Sequence, residues 1–88
     1  MVDSGARRLR DLRNLGPASE RMLHAAGIRT PEHLDEVGAL EAYRRAVAAG
    51  GHPSLNFLWS LDAALLELDG RDLPAARRAE LREAATGL

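Results

Sequence analysis

Glycine and proline interrupt this 88-residue sequence so often that only short helices fit between them. Proline resists the helix interior, and glycine readily takes the left-handed conformation that ends many helices. Between these breaks, leucine and alanine recur every three or four residues, the period of a helix that buries one face. The pattern predicts helices over residues 6–13, 17–26, 30–37, 39–49, 53–68 and 74–85. We therefore expect an all-α fold, a compact bundle of five to six short helices around the 53–68 helix.

Composition agrees with a helical bundle. The chain holds sixteen alanines and fifteen leucines but few β-branched or aromatic residues, and alanine and leucine lose little conformational freedom in a helix. A chain of this length accommodates one domain. We expect that domain to span residues 1–88, with 1–5 and 86–88 frayed.

Several functional classes lack the residues that they need. The chain has no cysteine, and His24, His33 and His52 show no metal-ligand spacing. No nucleophile–base arrangement or glycine-rich phosphate loop is present. We expect no secretory signal, because no apolar stretch follows a basic segment near the start of the sequence. The most apolar run, residues 55–68, is too short and polar to span a bilayer. We expect a cytoplasmic protein that is not an enzyme and has no cofactor, no metal and no membrane contact.

Charge is unevenly distributed along the chain. All twelve basic residues are arginine, and thirteen acids bring the formal net charge to −1. Residues 1–29 hold six arginines and three acids, whereas residues 30–88 hold six arginines and ten acids. The low net charge excludes a uniformly basic protein that coats nucleic acid, and it leaves open a local basic face in the first third.

The turn Asn14-Leu15-Gly16-Pro17 predicts a helix-hairpin-helix element over residues 6–27. Proline suits the first turn of a helix, where its missing N–H would be unpaired. The N–H groups at that helix end, beside Gly16, are suited to a phosphate or a partner's backbone, with Arg13 and Arg21 on either side. The alternative is a tight turn that only orients two helices, with its arginines in solvent. The candidate contact residues are Arg10, Arg13, Asn14, Leu15, Gly16, Pro17, Arg21 and Arg29.

Three residues of the 53–68 helix do not fit a purely apolar face. We expect Trp59 to pack in the core, the alternative being an exposed anchor for a partner. Asn56 and Asp62 are predicted to be capping groups or hydrogen-bonded partners of neighbouring loops, because unpaired burial would be costly.

Several blocks together resemble a known family. They are Leu-x-Asn-Leu-Gly-Pro-x-Ser from Leu12, Leu-x-x-Ala-Gly-Ile-x-Thr from Leu23, Gly38-Ala39 with Ala42-Tyr43, Pro53-Ser54-Leu55-Asn56-x-Leu58-Trp59-x-Leu61, and Arg71-x-Leu73-Pro74. Over about residues 9–81 the sequence resembles the C-terminal domain of the TfoX/Sxy bacterial competence regulators. The resemblance implies an all-helical domain with helix-hairpin-helix character. In full-length members an N-terminal α/β domain precedes it, and the protein promotes expression of DNA-uptake genes, a role linked to a cyclic-AMP-responsive activator.

A second resemblance covers only residues 12–34. This part is similar to the helix-hairpin-helix of the C-terminal domain of bacterial RNA polymerase α subunit, which contacts promoter DNA and activators. One position departs from the pattern of DNA-binding hairpins, because Asn14 stands where the usual Gly-apolar-Gly turn has its first glycine.

Two functions follow as expectations. The first is a non-enzymatic module of transcriptional regulation that contacts a protein, either the transcription machinery or a second copy of itself. The alternative is a DNA-binding module that grips the phosphate backbone through the hairpin and its arginines. The near-zero net charge favours the first.

Overall fold

The computed structural model describes residues 8–86. Five α-helices and two single 3-10 turns make up the regular structure of this range, which has no strand. The α-helices are α1 (Pro17–Ala25), α2 (Pro31–Val37), α3 (Ala39–Ala48), α4 (Leu55–Leu65) and α5 (Ala75–Thr86), and the 3-10 turns are Leu9–Asp11 and Gly70–Asp72. The predicted all-α fold is confirmed.

The first arm of the expected helix-hairpin-helix differs from the prediction. Its described part is not an α-helix but the 3-10 turn Leu9–Asp11, after which Leu12 is extended. The spacing of the buried leucines is compatible with this tighter winding. Leu9, Leu12 and Leu15 stand three apart and are all buried, and a spacing of three matches the 3-10 period. The helix-hairpin-helix is therefore not confirmed, since only its second arm, α1, is an α-helix.

The end of α1 follows the prediction closely. Gly27 has a φ of 86°, which glycine adopts without a steric penalty. The Ile28 N–H donates to the Leu23 carbonyl at 2.9 Å, and the Gly27 N–H donates to His24 at 3.0 Å. This is a Schellman motif, and its apolar pair, Leu23 and Ile28, is fully buried.

The end of α4 departs from the prediction. The sequence pattern predicts a helix that continues to Leu68, but the helix ends at Leu65. The residue in the left-handed conformation is Glu67, with a φ of 59°. The Leu68 N–H then closes the same Schellman pattern on the Ala63 carbonyl at 2.8 Å. Gly70 begins the second 3-10 turn.

Helix α4 forms the centre of the core, as its apolar repeat predicts. Five of its apolar side chains are buried, namely those of Phe57, Leu58, Leu61, Ala63 and Ala64. Trp59 is partly buried and packs against this core, in line with the core prediction. The other large buried side chains are Leu9, Leu12, Leu15, Leu23, Ile28, Leu34, Leu73 and Leu81.

The chain ends are only partly described. The predicted fraying of residues 1–5 and of 87–88 lies outside the described residues, whereas Thr86 still belongs to α5. None of the described helices combines the length and apolarity that crossing a membrane requires.

Candidate functional site

Asn14 connects the hairpin turn to a distant loop. Its Nδ2 donates to the Leu68 carbonyl at 2.7 Å, and its Oδ1 accepts from the Gly70 N–H at 2.8 Å. The backbone of Asn14 is left-handed, with a φ of 74°, a conformation that asparagine tolerates better than most residues. The asparagine that replaces glycine in the turn therefore binds the loop after α4.

Glu20 is the charged residue that organises the segment before the turn. Although only 3% exposed, its carboxylate accepts from Arg8 Nη2 and from Arg10 Nε, each at 2.9 Å. Burial acts to raise the pKa of Glu20, but the hydrogen bonds from Arg10 and Arg8 outweigh it and lower the pKa from 4.5 to about 2. Arg10 is therefore engaged within the protein, in an ion pair with Glu20 of α1.

Arg13 lies in a second group of charges beyond the turn. Its Nη2 is 4.0 Å from Asp69 Oδ2, and its side chain stays largely exposed. Asp69 also accepts from the Arg71 backbone N–H at 2.9 Å and from Arg71 Nε at 3.2 Å. These hydrogen bonds from Arg71 lower the pKa of Asp69. Among the hairpin arginines that the structure describes, only Arg13 reaches this loop.

No side chain of residues 8–86 caps the start of α1. Gly16 is the N-cap residue, in extended conformation, and Pro17 occupies the first turn. Leu15 is buried beneath the turn, while Pro17 is exposed. The N–H groups of the first turn have no partner within a helix. They remain the predicted contact point of the hairpin.

The side chains of Arg21 and Arg29 are exposed, and neither takes part in a side-chain hydrogen bond or ion pair within residues 8–86. Arg21 lies one turn after Pro17. Arg29 follows the opposite end of α1, about 13 Å along the axis for a nine-residue helix. The structure therefore groups Arg13, Asn14, Gly16 and Pro17 at one end of α1 and places Arg29 at the other.

One ion pair and one cation–π contact involve residues that were absent from the candidate residues. Asp62, 5% exposed, accepts from Arg77 Nε at 2.8 Å and from Arg77 Nη2 at 2.9 Å. The predicted partner of Asp62 was a neighbouring loop, and the observed partner is on α5. Arg78 places its Cζ 5.3 Å from the centroid of the Trp59 ring.

The sequence contained a signal for some of these residues. Asp62 interrupts the most apolar helix of the chain, so it required a buried partner. Glu20 is one of only three acids among the six arginines of residues 1–29. In both cases the partner depends on how separate elements pack, which periodicity does not specify. Among residues 8–86, no three His, Asp or Glu side chains are grouped closely enough to hold a metal ion.

Comparison with known proteins identifies the family. The sequence model described as the TfoX C-terminal domain matches residues 5–85. The chain belongs to the TfoX C-terminal domain family.

Two solved structures resemble this TfoX C-terminal domain. One is the triclinic form of an uncharacterized protein from Listeria monocytogenes, 30% identical, with a TM-score of 0.85 over 92% of each chain. The other is the tetragonal form of a Listeria monocytogenes protein of unknown function, also 30% identical, with a TM-score of 0.84 over 90% of this chain and 98% of that one. A search of curated proteins returned no match.

Proposed function

We propose that this TfoX C-terminal domain is a non-catalytic module of transcriptional regulation, of the competence and DNA-uptake type, which acts in the cytoplasm by contact with a protein. The supporting observation is an open groove of about 600 Å³ between the start of α3 and α5. Its apolar side chains are Val37, Ala39, Leu40, Leu81 and Ala84, and its charged side chains are Glu41, Asp62, Arg77 and Glu80. We call it the α3–α5 groove.

The α3–α5 groove has the chemistry of a site for an amphipathic helix. Such sites combine an apolar strip with charged edges, and a partner helix places its apolar face against the strip. The Asp62–Arg77 pair fixes one wall, because Arg77 is held by two hydrogen bonds. A rigid wall reduces the entropy lost when a partner binds. The partner that we propose is a component of the transcription machinery.

The arginines support a protein partner over a DNA backbone. Seven of the eleven arginines in residues 8–86 lie within 4.0 Å of a carboxylate. Glu41, for example, accepts from both Arg44 and Arg45, which lower its pKa from 4.5 to about 2. Non-specific DNA affinity depends on cations that replace counterions at phosphates. Arginines already paired with carboxylates contribute less to that exchange.

The test is the binding of purified bacterial RNA polymerase, and of its cyclic-AMP-responsive activator, to variants of this groove. Ala84→Arg places a bulky charge on the exposed edge of the groove and should weaken binding at least tenfold. Val47→Arg is the matched control, because Val47 is 50% exposed on α3 outside the groove. Equal affinity of both variants, or no binding of either partner by the wild type, would overturn the proposal.

DNA binding through the hairpin stays the second candidate. The observation in its favour is that Arg13 and Arg21 are exposed near the uncapped start of α1. Arginine pairs with phosphate through a planar set of donors, and a helix N-terminus adds N–H groups and a partial positive charge. This candidate requires that Arg13 exchange its contact with Asp69 for a phosphate.

A further inference from the structure

A second cleft, separate from the α3–α5 groove, forms where the hairpin turn, α4, the second 3-10 turn and α5 meet. It is open, has a volume of about 360 Å³, and we call it the Arg71 cleft. Asn14 comes from the hairpin turn, Asn56 and Ser60 from α4, and Arg71 from the second 3-10 turn. The residues that line it are Asn14, Asn56, Ser60, Asp69, Gly70, Arg71 and Arg78.

The charges in and around the Arg71 cleft favour an anion. Two guanidinium groups, those of Arg71 and Arg78, line it together with one carboxylate, that of Asp69. Asp69 is already engaged by Arg71 and lies 4.0 Å from Arg13. The negative charge of Asp72 also acts on Arg71 and contributes to raising its pKa, but Asp72 does not line the cleft. The lining therefore carries two positive charges and one negative charge. The negative charge, that of Asp69, is already paired with Arg71.

Arg78 is held in place on two sides. Its Nη2 donates to the Gly70 carbonyl at 2.9 Å, and its Cζ lies 5.3 Å from the centroid of the Trp59 ring. Trp59 is held in turn, because its Nε1 donates to the Arg78 carbonyl at 3.3 Å. The Arg78 Nε is buried without a hydrogen-bond partner in residues 8–86. A guanidinium fixed in this way loses little further freedom when it binds a ligand.

Neutral donors complete the cleft. Asn56 and Ser60 stand four residues apart on α4, and therefore on one face of the helix. Neither side chain hydrogen-bonds to another residue in the described range. Their amide and hydroxyl groups are available next to the two arginines.

We propose that the Arg71 cleft binds one small oxyanion of the phosphate class, either inorganic phosphate or the phosphate monoester of a nucleotide. Such a group presents several strong acceptors to a limited space, and two guanidiniums with an amide and a hydroxyl match it. This site lies beyond the protein contact proposed above and does not depend on it.

Trp59 provides the measurement, because it is the only tryptophan of the chain and contacts Arg78. The whole protein is titrated with sodium phosphate, and separately with adenosine monophosphate, against sodium chloride at equal ionic strength. We expect saturable changes in Trp59 fluorescence, and in the NMR signal of the Asn56 side-chain amide, with the phosphates but not with chloride.

Three variants test the assignment. Arg71→Gln should weaken phosphate binding about tenfold, the loss expected for one charge-assisted hydrogen bond. Asn56→Ala, at an exposed position, should weaken it several-fold while preserving the fold. The control is Arg29→Gln, which removes one positive charge outside the cleft and should leave the affinity unchanged.

Equal affinity for phosphate and adenosine monophosphate would support a general phosphate site, and tighter binding of the nucleotide would support a nucleotide monoester. Non-saturating signals for both, or equal affinity of the wild type and Arg71→Gln, would overturn the proposal. A random-sequence duplex that displaces phosphate would overturn the assignment to a small anion.

Discussion

Glu67 occupies the position that glycine takes at the ends of α1 and α3. Gly27 and Gly50 have φ values of 86° and 92°, and Glu67 has a φ of 59°. A side chain in this region brings Cβ close to the following carbonyl oxygen, at a cost of about 1–2 kcal/mol. The α4 terminus therefore forms despite its local sequence, because Leu68 closes it on Ala63 and packs against the core.

Glu67→Gly should stabilise the protein. Glycine removes the steric cost, and greater freedom in the unfolded chain offsets part of the gain. We expect the free energy of unfolding in urea to rise by up to about 1 kcal/mol. Gly27→Ala, at the matching position of α1, should lower it by about 1–2 kcal/mol. A destabilised Glu67→Gly would show that the carboxylate has a role which the backbone does not reveal.

Glu20 should make stability fall in acid. Its pKa is about 2 in the folded protein and 4.5 as an ordinary carboxyl, so its contribution is complete above about pH 5 and is lost as the pH falls towards 2. Thermal unfolding measured from pH 6 to pH 2 should show a decline that is shallower in Glu20→Gln. Glu41→Gln is the comparison, because Glu41 titrates in the same range but lies among exposed arginines on α3. If stability declined between pH 6 and pH 2 as steeply in Glu20→Gln as in the wild type, the buried Glu20 carboxylate would not be a cause of the acid sensitivity.

At the scale of elements, the hairpin turn and the loop after α4 are joined through Asn14. Two hydrogen bonds from one side chain span 54 and 56 residues of sequence. We therefore expect the turn and the loop to open together rather than separately.

Two substitutions of Asn14 distinguish the free-energy cost of its left-handed backbone from the contribution of its side-chain hydrogen bonds. Asn14→Gly keeps the left-handed backbone and loses both side-chain bonds, which should cost about 1–3 kcal/mol. Asn14→Ala should cost about 1 kcal/mol more, because alanine resists a positive φ. Urea unfolding measures both, and amide exchange at Gly70 should accelerate in each. Unchanged exchange at Gly70 would show that the connection is not formed.

The Asp62–Arg77 pair connects α4 to α5, and its two partners differ in burial. The Asp62 side chain is 6% exposed, whereas that of Arg77 is 44% exposed. Arg77→Ala should destabilise the protein by about 2–4 kcal/mol, because it leaves a buried carboxylate uncompensated. Asp62→Ala should cost less, since Arg77 can turn to solvent. Arg82→Ala, exposed on the same helix, should change stability by less than about 0.5 kcal/mol. An Asp62→Ala variant less stable than Arg77→Ala would contradict this order.

At the scale of the whole molecule, the sequence predicted what local chemistry decides. The glycine at 27 and the apolar residue after it specify the end of α1. The predicted helix starts at residues 30 and 53 lie at or next to Thr30 and Ser54, whose side chains cap α2 and α4 in the structure. The leucine repeat located the central helix. These features depend on residues within one or two turns of each other.

Features that depend on packing between distant segments were not predictable in the same way. The partners of Asn14 are more than fifty residues away, and Glu20 meets Arg8 and Arg10 only once the first segment has folded onto α1. The left-handed Glu67 has no glycine to signal it. The turn before Pro17 lies where the sequence indicates it, whereas the separate environments of Arg10, Arg13 and Arg29 followed only from the structure.

We propose that this domain acts through protein contact and does not grip the DNA backbone. The most direct measurement is a fluorescence-anisotropy titration of a labelled random-sequence duplex at low and moderate salt. We predict binding weaker than about 10⁻⁴ M at moderate salt, the weak end of non-specific DNA binding, and no difference between the wild type and a variant that combines Arg13→Ala with Arg21→Ala. Tight binding that weakens steeply with salt and disappears in that variant would contradict the claim.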